Sequence, residues 1–507
     1  MCDPCDTERS AFVDTQQDIN RAQGTFGSKA NFTVVIVMIL GVFVAILNET
    51  LLNVALSKIM ADLGILPSTA QWLTTGYLLI IGVLIPVTAF LLQRFTTRTL
   101  FLSAMGLFTV GTFIAAVSSG FSLLVLGRIL QAAGTGLLFP LLTNVVFAIV
   151  PLEKRGSAMG TIGIVITFAP AIGPTLSGII VEHFSWRYLF YGVLPIAVFV
   201  MIFAFIRLKN VTETTKPKVD LLSLLLSTVG FGGIVYGFSS ASEGHGGWAG
   251  YSVLLPIVVG LLSLVLFTIR QLKIAEPLLD LRTFQYRIFR ISTLIMIIVM
   301  MAMFAAMMLL PIFLQNALGY SPFEAGLVML PGGIIMGIMS PITGRLFDKF
   351  GAKWLAIVGL ILIAHTLLQF AFITVTISYL TIMLFNTLLM LGISMLMMPV
   401  MTNALNELPP PLYPHGTAII GTLQQVAGAV GTALLVTVMM NGTDRYLQNS
   451  APGQDESTLR MLSMIAGMKS AFLLAFALVI VALLASFFLK RAGKPKQPQG
   501  AKQVSPN

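Results

Sequence analysis

Charge is the scarcest thing in this chain of 507 residues: Asp, Glu, Lys and Arg together make up only 10% of it. A soluble globular protein carries about 25%, and so few charges cannot coat a fold that is 56% hydrophobic. Cysteine is nearly missing as well. Cys2 and Cys5 are the whole supply, too few for a disulfide framework or a four-ligand metal site. Their Cys-x-x-Cys lies in a short polar tail and reads as isolated thiols. The four histidines, His183, His245, His365 and His415, form no His-x-x-x-His spacing. No nucleotide-binding glycine loop with its lysine is present, and no soluble stretch is large enough for an ATPase. These absences exclude a cytosolic enzyme, a secreted disulfide domain and a disordered chain. They disfavour a membrane-embedded enzyme or scaffold, and no cofactor or metal is expected.

What remains is apolar sequence, with a mean hydropathy of +0.92. A spanning helix needs about 20 apolar residues to cross about 30 Å of hydrocarbon. Fourteen runs qualify, at 31–52, 70–92, 98–118, 122–149, 158–180, 187–207, 219–238, 251–270, 288–315, 324–347, 354–374, 378–405, 416–441 and 466–489. Barrel strands would be shorter and would alternate in polarity, so the reading is an all-α polytopic membrane protein. The net charge of +10 is a matter of topology rather than of nucleic-acid binding. With both tails inside, 24 of the 30 Lys and Arg fall on the inner side and 5 outside, Arg128 lying within a span. Basic loops stay cytoplasmic, which predicts a multi-pass protein of the cell membrane. The acidic first tail lacks the basic start of a cleavable signal peptide, so the first span is expected to stay.

The second half echoes the first. Pro86 and Arg94 correspond to Pro341 and Lys349, an offset of 255, and Pro140, Thr143, Asn144 and Pro151 correspond to Pro399, Thr402, Asn403 and Pro410, an offset of 259. Gly156 and Ala158 match Gly416 and Ala418 at 260. The offset exceeds the length of six helices by about one helix pair. The expected organisation is a tail (1–30), a six-helix bundle (31–207), a linker with two extra helices (208–287), a second six-helix bundle (288–489) and a basic tail (490–507). Parallel repeats around a midplane site are a transporter architecture in which access alternates as the halves rock.

Charges inside hydrocarbon are costly and mark function by default. Glu49 lies well inside the first span and Arg128 opens the fourth. A carboxyl held away from water favours its neutral form, so it can take a proton from one side and release it to the other. Glu49 therefore reads as a proton or cation handler, against the alternative of a structural ion pair or a permanently protonated group. Arg128 either anchors a helix interface or tunes a carboxyl. Glu182 reads as a wet rim residue and His365 as a satisfied interior histidine. The fifth span carries Pro170, Gly173, Pro174 and Gly178, where prolines and small residues suit a close-packed hinge.

These residues resemble the major facilitator superfamily, in particular its fourteen-helix drug:proton antiporters of the lincomycin-resistance type. The stretch from Leu47 to Leu56 is similar to the first-span pattern, with Asn48 where an aspartate is usual and the carboxylate moved to Glu49. Gln71 to Leu78, Gly127-Arg128 with Gln131, Gly134 and Gly136, and Trp186 to Phe190 resemble the second-, fourth- and sixth-span motifs. Ala169 to Pro174 with Gly178 is similar to the antiporter motif, Ser177 replacing its usual glycine. The gating loop Ala89 to Arg98 departs from the pattern, with Gln93 in place of the aspartate, whereas Gly344 to Gly351 keeps it.

The resemblance implies proton-coupled efflux of hydrophobic drugs by alternating access, Glu49 and Arg128 carrying the coupling. An exporter of an endogenous metabolite or lipid is the alternative. The implied cavity is lined by Asn53, Trp72, Tyr77, Gln131, Phe139, Asn144 and Phe168 beside Glu49. The implied inner gate comprises Arg94, Arg98, Arg345, Asp348, Lys349 and Gly351, its charge network resting on Asp348. Partners are then a hydrophobic small molecule, protons and lipid, with a monomer expected.

Overall fold

The computed structural model describes residues 29–490, apart from 66, 212, 213, 215–219, 243–249, 275, 276, 375 and 451–455. Cys2 and Cys5 and the tail from 491 onward lie outside the described residues. In lipid every backbone polar group must be satisfied within its own segment, so apolar runs of this length fold as helices. The first six are α1 (Lys29–Leu63), α2 (Pro67–Arg94), α3 (Thr97–Ala116), α4 (Phe121–Ile149), α5 (Arg155–His183) and α6 (Arg187–Arg207). The inserted pair is α7 (Leu221–Ser242) and α8 (Tyr251–Lys273). Then come α9 (Arg287–Asn316), α10 (Pro322–Phe350), α11 (Ala352–Ala371), α12 (Tyr379–Ser394), α13 (Met397–Asn406), α14 (Tyr413–Gln448) and α15 (Glu456–Ser486).

Among the described residues, thirteen helical stretches are long and apolar enough to cross a membrane, α12 and α13 counting as one. With α5, which is 29 residues long, fourteen long helical stretches match the fourteen runs. The run at 378–405 is read from sequence as one helix, but the structure divides it at Met395 and Leu396. Pro399 offers no N–H to the Met395 carbonyl and its ring crowds that oxygen. His365, expected in the interior, is exposed on α11.

The packing repeats helix for helix. In the first half α1 lies against α5 and α6, α2 against α4, and α3 against α4 and α6. In the second, α9 lies against α14 and α15, α10 against α12, and α11 against α12 and α15. The halves meet where α5 runs along α10 and, in the matching place, where α14 runs along α2. At the first of these seams a methyl on Gly160 would stand 2.6 Å from the Ser340 carbonyl oxygen, so only glycine permits the approach. The inserted α7 covers the second seam, lying against both α2 and α14, with α8 behind it. Leu255, Leu262 and Leu266 of α8 face outward, as a lipid-facing helix requires.

The turns between α2 and α3 and between α10 and α11 lie on one face, called here the basic face. The halves touch near it, Gly156 with Gly344, Gly160 with Ser340, and Gly421 with Ile85.

Candidate functional site

The interior charges sit where four helices of the first half converge. Arg128 on α4 is buried and donates to two neutral acceptors. Its Nε donates to the Leu73 carbonyl at 3.3 Å and its Nη1 to Gln131 Oε1 at 3.0 Å. The guanidinium lies over the Tyr77 ring, 3.9 Å from the centroid. Gln131 passes the chain on, its Nε2 donating to Thr112 Oγ1 at 2.9 Å, while Tyr77 and Thr135 share a hydroxyl hydrogen bond of 2.7 Å. A buried guanidinium needs such satisfied donors, because an uncompensated buried charge is strongly destabilising.

Glu49 on α1 is partly buried and interacts electrostatically with Arg128 and Tyr77. Among the described residues it forms no ion pair with Arg128, whose Nε and Nη1 donate elsewhere. The two groups thus interact through space rather than by direct contact. Asn48, one residue earlier, is buried with its Nδ2 unpaired. The shift of the carboxylate by one position therefore places the ionisable group on a different side of α1 from the buried amide, 100° away.

α5 is fastened to α1 beside Glu49. Thr50 Oγ1 reaches the Ala169 carbonyl at 3.4 Å, and a methyl on Gly173 would collide with Thr50 Oγ1. Ser177 donates to the Leu51 carbonyl at 2.6 Å. The residues at 169, 173 and 177 recur at four-residue spacing and so share one helix face. α5 continues without a break through Pro170 and Pro174; Pro170 is partly buried, and a methyl on Gly178 would meet open space.

The candidate cavity residues divide. Trp72 is exposed and stacks on Tyr236 of α7, centroids 5.6 Å apart. Phe168 is exposed and close to the α10 backbone at Gly337. Phe139 is partly buried and Asn144 buried. Tyr77 and Gln131 are buried in the arginine network. The side chains of Asn53 and Pro174 lie outside the described residues.

The gate residues divide too. Asp348 at the end of α10 caps the start of α5 in the other half, accepting from the backbone N–H groups of Gly156 and Ser157, both at 2.8 Å. A carboxylate at a helix N-terminus is favoured by the orphan N–H groups and the dipole there. Gly351 ends α10 at φ +79°, in the region that favours glycine. Arg98 belongs to the first half alone, donating to the Phe205 carbonyl at 2.6 Å and lying over that ring. Arg94 is exposed next to the Phe90 ring and Lys349 next to the Phe350 ring, and Arg345 is exposed.

Sequence reasoning misses Arg155, which is buried and spans the halves. Its Nη1 donates to Asn406 Oδ1 at 3.1 Å and to the Tyr413 hydroxyl at 3.0 Å. Its Nη2 donates to the Phe147 carbonyl at 2.7 Å. The signal was its place next to the repeated Gly156. On the opposite face Asp62 accepts from Arg187 Nη1 at 2.8 Å and Trp186 Nε1 at 2.9 Å. Those two hydrogen bonds hold its carboxyl below the usual carboxylate range.

The Major Facilitator Superfamily profile matches residues 38–432. The lincomycin resistance protein LmrB of Bacillus subtilis is 48% identical over 90% of this chain and 95% of its own. The multidrug resistance protein B homolog of Mycobacterium tuberculosis is 31% identical over 80% of this chain and 75% of its own. Among solved structures, the human organic anion transporter MFSD10 superposes with a TM-score of 0.65 at 13% identity, covering 90% of this chain and 99% of its own.

Proposed function

This chain belongs to the Major Facilitator Superfamily, and from that membership we propose that it exports hydrophobic drugs in exchange for protons. A superfamily member with this helix count is a multi-pass membrane transporter of small molecules, not an enzyme. The proposal adds direction, coupling and cargo. Its relatives named for lincomycin and multidrug resistance support an antibiotic as cargo, lincosamides first.

The observation that carries the reading is the relation between Glu49 and Arg128. A carboxyl lies within the first span near a buried guanidinium whose Nε and Nη1 already donate to neutral acceptors. Protonating Glu49 leaves Arg128 satisfied; deprotonating it leaves a negative charge that only Arg128 or an arriving cation or dipole can balance. Proton and cargo then compete for one state of one group, which is what exchange requires. The seam between the halves, closed on the basic face, supports a transporter whose cargo site is reached from the opposite side in this state. With the basic face cytoplasmic in the cell membrane, the alternation would move cargo outward.

The test is reconstitution into liposomes with an imposed pH gradient. Lincomycin flux driven by that gradient, absent without it, is the expected result. Flux indifferent to the gradient would remove the proton from the proposal.

A further inference from the structure

The basic face is fastened at two places related by the internal repeat, and the two fastenings differ chemically. At the offset of 255 that relates Pro86 to Pro341, Asp348 corresponds to Gln93. At the offset of 260 that relates Gly156 to Gly416, Arg155 corresponds to His415. In one copy Asp348 caps α5 through two backbone N–H groups while Arg155 reaches across to Asn406 and Tyr413. In the other copy the carboxylate is gone. Gln93 at the end of α2 instead meets His415 at the start of α14, its side-chain nitrogen 3.0 Å from His415 Nε2.

His415 has a second partner. It is buried, and its Nδ1 accepts the backbone N–H of Asp280 at 3.2 Å. The Gln93 amide nitrogen also donates to the Ala89 carbonyl at 3.1 Å, so Gln93 ties the ring to its own helix, the direction of the contact at Nε2 following the ring's tautomer. Asp280 lies in the segment that follows the inserted pair. That segment is itself anchored: the Leu279 N–H donates to Gln271 Oε1 at 3.2 Å, and Gln271 Nε2 donates to Ser223 Oγ at 2.6 Å. Ser223 and Arg270 both donate to the Asp220 carboxylate at the foot of α7 and α8. A continuous polar chain thus runs from the foot of the inserted pair through His415 to the first half.

We propose that His415 is the positioning residue of the second fastening, joining Gln93 of the first half and the segment after the inserted helices to the second half, and so holding the basic face shut. The role extends the reading that the halves rock, and rests on it. His415 sets how often the basic face opens, and it makes that opening depend on the inserted pair.

The test uses the full chain in nanodiscs, with Cys2 and Cys5 replaced by serine and spin labels on cysteines at Phe95 and Pro411, both exposed on the basic face. Pulsed dipolar spectroscopy reads the ratio of long (open) to short (closed) distances. One neutral hydrogen bond alters such a ratio by about five-fold. Gln93→Ala and His415→Phe are each expected to raise the open fraction by about that factor, and the double variant by the same factor rather than the product, because the two groups share one interaction. If His415→Phe does not fold, His415→Asn takes its place in the comparison. Asp348→Asn separates the two readings. Singles that change nothing while Asp348→Asn opens the face, or singles whose effects multiply, overturn the role of His415 alone. A single closed distance in every variant, Asp348→Asn included, overturns the rocking of the halves and this role with it.

Discussion

The Ser177 hydroxyl donates to the Leu51 carbonyl across 2.6 Å, two residues beyond Glu49. Ser177 is wholly buried, so the bond fixes the distance between α1 and α5 at the level of the carboxyl. Ser177→Ala removes one hydrogen bond and leaves the carbonyl in its own helix, an effect of about 1 kcal/mol. A thermal midpoint lowered by a few degrees with efflux largely kept is expected. Ser177→Val overfills the contact, and efflux should fall much further than stability does; the two are read by melting in detergent and by drug flux from the same preparation.

Arg128 is held by its planar donors and by the Tyr77 ring beneath it. Lysine keeps the charge but loses the fork and the stacking surface. Arg128→Lys should therefore express and fold yet lose at least about ten-fold in proton-linked flux, since one charge-assisted hydrogen bond is worth about 1.5–3 kcal/mol. Drug binding measured without a gradient should change less than flux. Equal flux in the variant would show that charge alone suffices.

The seam between α5 and α10 tolerates no side chain at Gly160 or Gly344, where a methyl would meet the Ser340 carbonyl at 2.6 Å or collide with the Gly156 carbonyl. Gly160→Ala and Gly344→Ala should bias the protein toward the state in which the basic face is open. Increased labelling of a cysteine at Ser340 by a thiol reagent added from that face is the expected readout in the Gly344→Ala variant. Labelling no faster than in the parent would mean the helices separate along another line.

Asp220 at the foot of the inserted pair is held down to about 2 by the hydrogen bonds of Arg270 first and of Ser223 after it. Its folded value lies below its unfolded one of 3.8, so the unfolded state binds the proton more readily. The stabilisation, on the order of 1–2 kcal/mol, is complete above about pH 5 and is lost as pH falls toward 2. Asp220→Asn should lower the melting temperature at pH 7 and make it less sensitive to acid between pH 5 and pH 3. Parallel melting curves for variant and parent across that window would contradict the assignment.

Much of this architecture could be read from the sequence because lipid is an unforgiving solvent. The runs from 31 to 489 had to be helices, and the offsets of 255 to 260 told which helices correspond. Arg155, Ser177 and His415 could not be placed in that way. Their partners, Tyr413, Leu51 and Gln93, lie 258, 126 and 322 residues away, and no local pattern marks a contact made only when helices meet. The division at Met395 was also hidden, since an apolar run reads the same on either side of a proline-induced break. At the centre, the sequence singled out Glu49 and Arg128. It did not indicate that Arg128 would donate to Leu73 and Gln131 rather than pair with Glu49.

The most direct measurement is proton movement on drug addition in inverted vesicles carrying Glu49→Gln. The amide keeps the shape of the side chain and removes its charge. The account predicts normal amounts of protein in the membrane, drug binding retained for neutral cargo, and no drug-driven proton release. Proton release at the parent's rate from correctly folded Glu49→Gln would contradict it.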